Sequence, residues 1–123
     1  RSYADALFIK SPKRLDCRSV PLAYATFPAH SSPLGLEYFD SNNQSTGLRN
    51  SFLVALHGSS DHRMNRGHSI VQVKEHGPAQ DFVNGFVQGG KLYGRPADII
   101  QLGADRFLFT DDHAGVVYYV FRK

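Results

Sequence analysis

The chain has no tryptophan, one methionine and one cysteine, Cys17. A lone cysteine excludes an internal disulfide and any zinc site built on cysteines, and leaves an inert or externally paired thiol. No run approaches the ~20 consecutive apolar residues that a membrane-spanning helix needs, and none reads as a signal peptide, so a soluble chain with no membrane partner is expected. Neither sign of charge dominates. The 14 Lys and Arg stand against 11 Asp and Glu and are scattered rather than gathered along one face, which argues against a nucleic-acid reader. The spacings HExxH, GxSxG, the P-loop and the EF-hand loop are also missing, and the six histidines are too dispersed to claim a metal site. The first residue is Arg rather than Met. Either a leader has been removed or the chain is a piece of something longer.

What is present points to β structure. Nine Phe and six Tyr supply the aromatics, and 11 Gly and six Pro break the chain at short intervals, the punctuation of short strands. A composition 41% apolar and 20% charged belongs to a folded domain rather than a disordered tail. Residues 1–27 read as an irregular lead-in with a possible strand at Leu22–Phe27, and "ALFI" at 6–9 can pack against a neighbour. Strand-like runs then recur at Leu34–Phe39, Ser51–His57, His68–Lys74, Ala97–Leu102, Arg106–Thr110 and Gly115–Phe121. The run "SFLVALH" is apolar throughout, the pattern of a strand covered on both faces, whereas "HSIVQVK" is interrupted by Gln72. Only "AQDFVNGFV", 79–87, carries helical spacing, and Gly85 limits it to one or two turns.

The runs group unevenly. The first three, with a short fourth near 81–84, form a four-stranded meander, and after "GGKLYGRP" a second meander starts and stops at three strands. The repeat of about 40 to 50 residues is that of a β-propeller blade. The expectation is an all-β chain of two consecutive blades, 28–92 and 93–123, the last lacking its fourth strand. Two blades cannot close a ring, so the remaining blades of a longer protein are implied as partners.

Polar residues concentrate at the strand ends, in "PAHSSPLG", "LHGSSDH", "TDDHAG" and "YGRPAD". His57 ends an apolar strand ahead of Gly58, where the backbone can turn sharply; a ligand contact and a histidine hydrogen-bonded within its loop are both open. Arg95, held between Gly94 and Pro96, offers a planar fork suited to a carboxylate or phosphate, or a salt bridge to Asp98, Asp111 or Asp112. The triplet Asp111, Asp112 and His113 can orient a base or hold a hard cation, although adjacent residues of a strand point to opposite sides, so at most two share one; a capped turn is the other reading. Asn43-Gln44-Ser45 is an N-glycosylation sequon, relevant only to a chain secreted from a eukaryotic cell.

Taken in order, "AHSSPLGLEYF", "RNSFLVALHGS", "DFVNGF", "YGRPADI" and "FLFTDDHAGVVYYV" resemble the C-terminal part of the sorbosone dehydrogenase-like and glucose dehydrogenase-like family. The resemblance covers about residues 28–121, and "GRPADIIQLGADRFLFTDDHAG" looks most like the secreted fungal-type pyranose dehydrogenase branch. It implies a six-bladed propeller that uses pyrroloquinoline quinone (PQQ) and calcium. The implied reaction oxidises the C1 hydroxyl of a sugar, an aldose or keto-sugar, with hydride passing to the quinone. It further implies a secreted or periplasmic location and a haem domain or cytochrome as electron acceptor.

Carried over by position, Arg95 matches an arginine that leads into the inner strand of the last blade, where relatives hold the cofactor. His57 falls near a cofactor-contacting lysine of bacterial relatives, and Asp111 and Asp112 match the last-blade turn and shape the pocket. There are departures from the pattern: Ser60, Asp61 and His62 stand where relatives carry Trp, Asn and Arg, and Ala97 stands where some have a second arginine, leaving Arg63 or Arg66 to supply that charge. The family's general-base histidine and calcium ligands lie in earlier blades, so this segment is expected to supply cofactor-wall residues and no catalytic base. The alternative is a non-catalytic propeller segment that binds a glycan or a protein, and a third reading is an autonomous β-sandwich binding module.

Overall fold

The computed structural model describes residues 17–40, 47–61, 64–75 and 77–123. Asn43, Arg63 and the stretch at 6–9 lie outside them. Among the described residues there is no α-helix, and so no helix long and apolar enough to cross a membrane; the one helical turn is a 3-10 segment at Cys17–Ser19. The protein is all-β. Strands β1 (Pro33–Phe39), β2 (Ser51–Leu56), β3 (Ser69–Lys74) and β4 (Gln80–Val83) form an antiparallel sheet in chain order. A small hairpin of β5 (Val87–Gln88) and β6 (Lys91–Leu92) follows, and then β7 (Pro96–Gly103), β8 (Arg106–Asp111) and β9 (Val116–Phe121) form a second antiparallel sheet. Neither sheet closes into a barrel.

The apolar run of β2 has the double burial its pattern predicts. Leu53 and Ala55 face one cluster, with Phe39, Ile70, Ile99, Phe107 and Phe109, and this cluster joins the two larger sheets. Val54 and Leu56 face the other, with Val71 and Val73, beneath Ala25, Phe27 and Ala79. Residues 22–27 therefore differ from the expected strand: they form no ladder and lie over a sheet face, burying side chains instead of pairing backbone. The helical spacing in 79–87 also does not survive. Gln80–Val83 is the fourth strand, paired to β3, and Gly85 at φ 94° turns the chain so that Phe86 enters the core between the sheets. Gln72 sits on a fully covered strand because its amide is satisfied, donating to the carbonyl of Gly47 and, at 2.8 Å, to Ser51 Oγ.

The two larger sheets repeat one device. In the first, the register slips between Pro33, opposite Leu56, and Leu36, opposite Val54. In the second it slips between Pro96, opposite Asp111, and Ile99, opposite Phe109. Each sheet thus opens with a proline at the edge of its first strand and an irregularity two residues further on, a β-bulge that bends the strand entrance. On this alignment His57, just past β2, is the counterpart of Asp112, just past β8, and Ser32 is the counterpart of Arg95. The first strands β1 and β7 lie in contact, and Gly35 permits it: a Cβ there would stand 2.6 Å from Asp98 Cα and 2.9 Å from the Ala97 carbonyl oxygen.

Between the sheets the aromatic rings meet edge to face, Phe39 on Phe107 at 5.9 Å and Phe86 on Phe109 at 6.0 Å. Phe107→Ala is expected to cost about 3–5 kcal/mol through lost burial and the cavity left behind. Tyr119→Ala, on the exposed face of β9, should change stability by no more than about 0.5 kcal/mol. Urea denaturation of both variants distinguishes them, and equal losses would place the core elsewhere.

Candidate functional site

The start of β1, the end of β2, the start of β3, the start of β7 and the end of β8 meet at one end of the two sheets. Backbone hydrogen bonds knit the loops there. The amide of His57 donates to the Ser32 carbonyl at 3.0 Å, that of Gly58 to Ser31 at 2.9 Å, and that of Ser59 to Arg66 at 2.9 Å. The packing is close enough to force unusual backbone: His30, Ser32, Asn65 and His68 all have positive φ, between 46° and 67°. Such non-glycine conformations persist only where the surroundings over-determine them, and they gather at functional sites. Gly58, at φ 87°, could carry no side chain, since a Cβ would lie 2.5 Å from the His68 ring.

All four residues selected from the sequence come together here, from two different sheets. His57 Nε2 and Asp112 Oδ1 are 2.8 Å apart. Arg95 reaches across with its guanidinium, Nε donating to the His57 carbonyl at 3.1 Å and Nη2 to the Gly58 carbonyl at 2.7 Å. The Arg95 backbone amide donates to Asp111 Oδ1 at 2.9 Å, and the Ala114 amide donates to the same oxygen. Asp111 is buried, so it acts on the site by fixing the Arg95 backbone and the turn after β8. Of the two readings of Arg95, its hydrogen bonds go to loop carbonyls rather than to a carboxylate side chain. Asp98 instead caps its own strand, accepting from the Ile99 amide at 2.9 Å. Ala97 is half-buried in β7.

The electrostatics follow from this geometry. The hydrogen bond from His57 holds the Asp112 carboxyl below its ordinary value; desolvation opposes the shift, and the charges of His57 and Arg95 add to it. Asp112 is 62% exposed and His57 18%, so the pair stands at the surface of the junction with the imidazole as its inner member. Among the described residues no group of three or more His, Cys, Asp and Glu gathers as it would around a metal ion.

In the loop entering β3, sequence reasoning named Arg66 only as a substitute cation and did not select His68. There His68 is buried and its Nε2 lies 3.2 Å from the Ser59 carbonyl oxygen, while Arg66 is exposed on the rim of a cleft of about 780 Å³ that runs under residues 23–28. Ser31 lines the same cleft, and its hydroxyl is buried without a hydrogen-bond partner among the described residues. The available signal was "NRGH", a polar Gly-containing cluster before a strand, of the same kind as "LHGS" after one. None of the four selected residues lines this cleft, because their junction lies on the side of the loops that faces the second sheet.

Because the Asp112 value is depressed in the folded state, its contribution to stability is present above the unfolded value of about 3.9 and is lost as pH falls through the folded one. Carbon-13 titration of the Asp112 carboxyl should therefore show a midpoint below the ordinary aspartate range, rising toward it in His57→Ala. An unchanged midpoint in that variant would mean that the hydrogen bond does not hold in solution.

A protein of Borreliella burgdorferi described as an uncharacterized protein is 31% identical to this chain over 119 residues. The match takes in 91% of this chain and 31% of that protein, so the chain spans about a third of the length of its relative. No family model matches the chain, and no solved structure matches it.

Proposed function

We propose that this chain is the part of a quinoprotein sugar dehydrogenase that supplies two successive β-propeller blades and one wall of the cofactor pocket. The observation that carries the reading is the meeting of His57, Arg95, Asp111 and Asp112 at one end of both sheets, although they come from segments up to 55 residues apart. Two consecutive antiparallel meanders with the same proline entrance and the same bulge, in contact through their first strands, support a reading as neighbouring blades.

PQQ carries three carboxylates, and the residues present fit one anionic edge of it. Arg95 uses two of its five N–H donors on loop carbonyls. The rest have no acceptor among the described residues, and they sit on a guanidinium held by two loop carbonyls. His57 adds an imidazole beside it. Bound there, the quinone would accept hydride from the C1 carbon of a sugar. This chain's residues bind and orient: Asp111 positions the Arg95 backbone, Arg95 holds the turn at His57 and Gly58, and Asp112 holds the imidazole. The general base and the calcium ligands belong to other blades, as do the contacts to a haem-type electron acceptor. A secreted or periplasmic location goes with the reading.

The test is a PQQ titration, followed by quinone absorbance with calcium present, on the chain together with the remainder of its propeller. Stoichiometric uptake is expected. Arg95→Ala should weaken it at least about tenfold, the effect of losing a charge-assisted hydrogen bond of roughly 1.5–3 kcal/mol. A folded protein blind to PQQ would favour the non-catalytic, glycan- or protein-binding propeller.

A further inference from the structure

The His57–Asp112 pair constrains what can bind beside it. If Asp112 accepts a hydrogen bond from Nε2, that nitrogen carries a proton, and the charge of the ring is decided at Nδ1, a lone pair when neutral and an N–H when cationic. Among the described residues Nδ1 has no hydrogen-bond partner, and the ring is only partly buried, so this nitrogen is left to take one.

The charged groups around it come from each element packed there. Arg95 approaches from the entrance to β7, Asp112 from the turn after β8 with His113 next to it, and Asp111 lies buried behind Arg95. From the loop entering β3, the ring of His68 packs under Gly58, and Arg66 lies exposed at the rim. Of these groups Arg95 and Arg66 stand against Asp111 and Asp112, so with a neutral His57 an arriving carboxylate would meet the Nδ1 lone pair and a cluster with no net positive charge. With a protonated His57 it meets an N–H donor beside Arg95, while Asp112 balances the new charge.

We infer that this cluster is a proton-gated receptor for carboxylate-bearing ligands, His57 taking up one proton as the anion binds. The inference rests on the proposed reading for the identity of the ligand as PQQ; the coupling itself is reported by any small polycarboxylate that occupies the site. It also gives a reason for histidine here: a lysine would hold the anion at every physiological pH, whereas histidine holds it only where protons are supplied.

The experiment measures affinity for PQQ and, separately, for citrate as a plain tricarboxylate, across the range of roughly pH 5 to 8 in which histidines change charge. It uses the protein with its remaining blades. For the wild type, affinity is expected to approach a tenfold loss per pH unit at the alkaline end, one proton per ligand, and in His57→Lys it should be flat. Nitrogen-15 shifts of the wild-type His57 ring, which need no variant, should move to the doubly protonated form when either ligand is added near the alkaline end. A wild-type affinity independent of pH, or a ring that stays neutral in the complex, overturns the inference. PQQ binding without pH dependence overturns it and leaves the dehydrogenase reading standing. Citrate binding with pH dependence but no PQQ uptake keeps it and removes that reading, and binding of neither anion removes both.

Discussion

The arrangement depends on one side chain that crosses between sheets. Arg95 enters from the start of β7 and donates to two successive carbonyls, those of His57 and Gly58, just past the end of β2. Those carbonyls follow a strand that has run out of ladder partners, and a buried or half-buried backbone acceptor must be satisfied from somewhere. The guanidinium satisfies two at once, because its donors form a rigid planar fork. Asp111 secures the other end of the bridge by accepting the amide of Arg95 itself. With the His57–Asp112 hydrogen bond, this bridge fixes the relation between the loops of the two sheets.

That relation is what brings His57 opposite Asp112. Each residue follows the second strand of its own sheet, and each of those strands faces a first strand with a proline entrance and a bulge. A repeated local geometry thus places two equivalent positions side by side, and the sequence fills one with an imidazole and the other with a carboxylate. The repeat also explains the concentration of chemistry at one end. At the opposite end β7 and β8 are joined by the tight turn at Ala104–Asp105, with Asp105 at φ 49°, whereas at the bulged end the connection from β2 to β3 carries side chains toward the second sheet.

Much of the fold was legible because its signals are local. The unbroken apolar run from Phe52 to Leu56 reports two covered faces, and both are covered. Gly103 and Asp105 mark one hairpin and Gly115 another. Local signals misled where burial and pairing part company. Residues 22–27 have the apolar content of a strand but bury it on a sheet face without pairing. Gln72 interrupts the apolar run of its strand, yet it is buried because Gly47 and Ser51, more than 20 residues away, supply its partners. Residues 79–87 have a helix-like spacing of Phe and Val that Gly85 and the free edge of β3 turn into a strand and a bend.

By itself, the sequence determined the residue types at the junction, the order of short strands and the grouping of strands into a four and a three, since these depend on period, turn chemistry and composition. Only the tertiary structure decided that the guanidinium of Arg95 serves loop carbonyls, that Asp111 is buried behind it, and that Asp112 is the partner of His57. The reason is distance along the chain. Hydrogen bonds act over about 3 Å, and the groups that make these bonds are separated by 16 to 55 residues. No local pattern encodes which of several nearby carboxylates or carbonyls will arrive there; the close approach of β1 to β7 at Gly35 does.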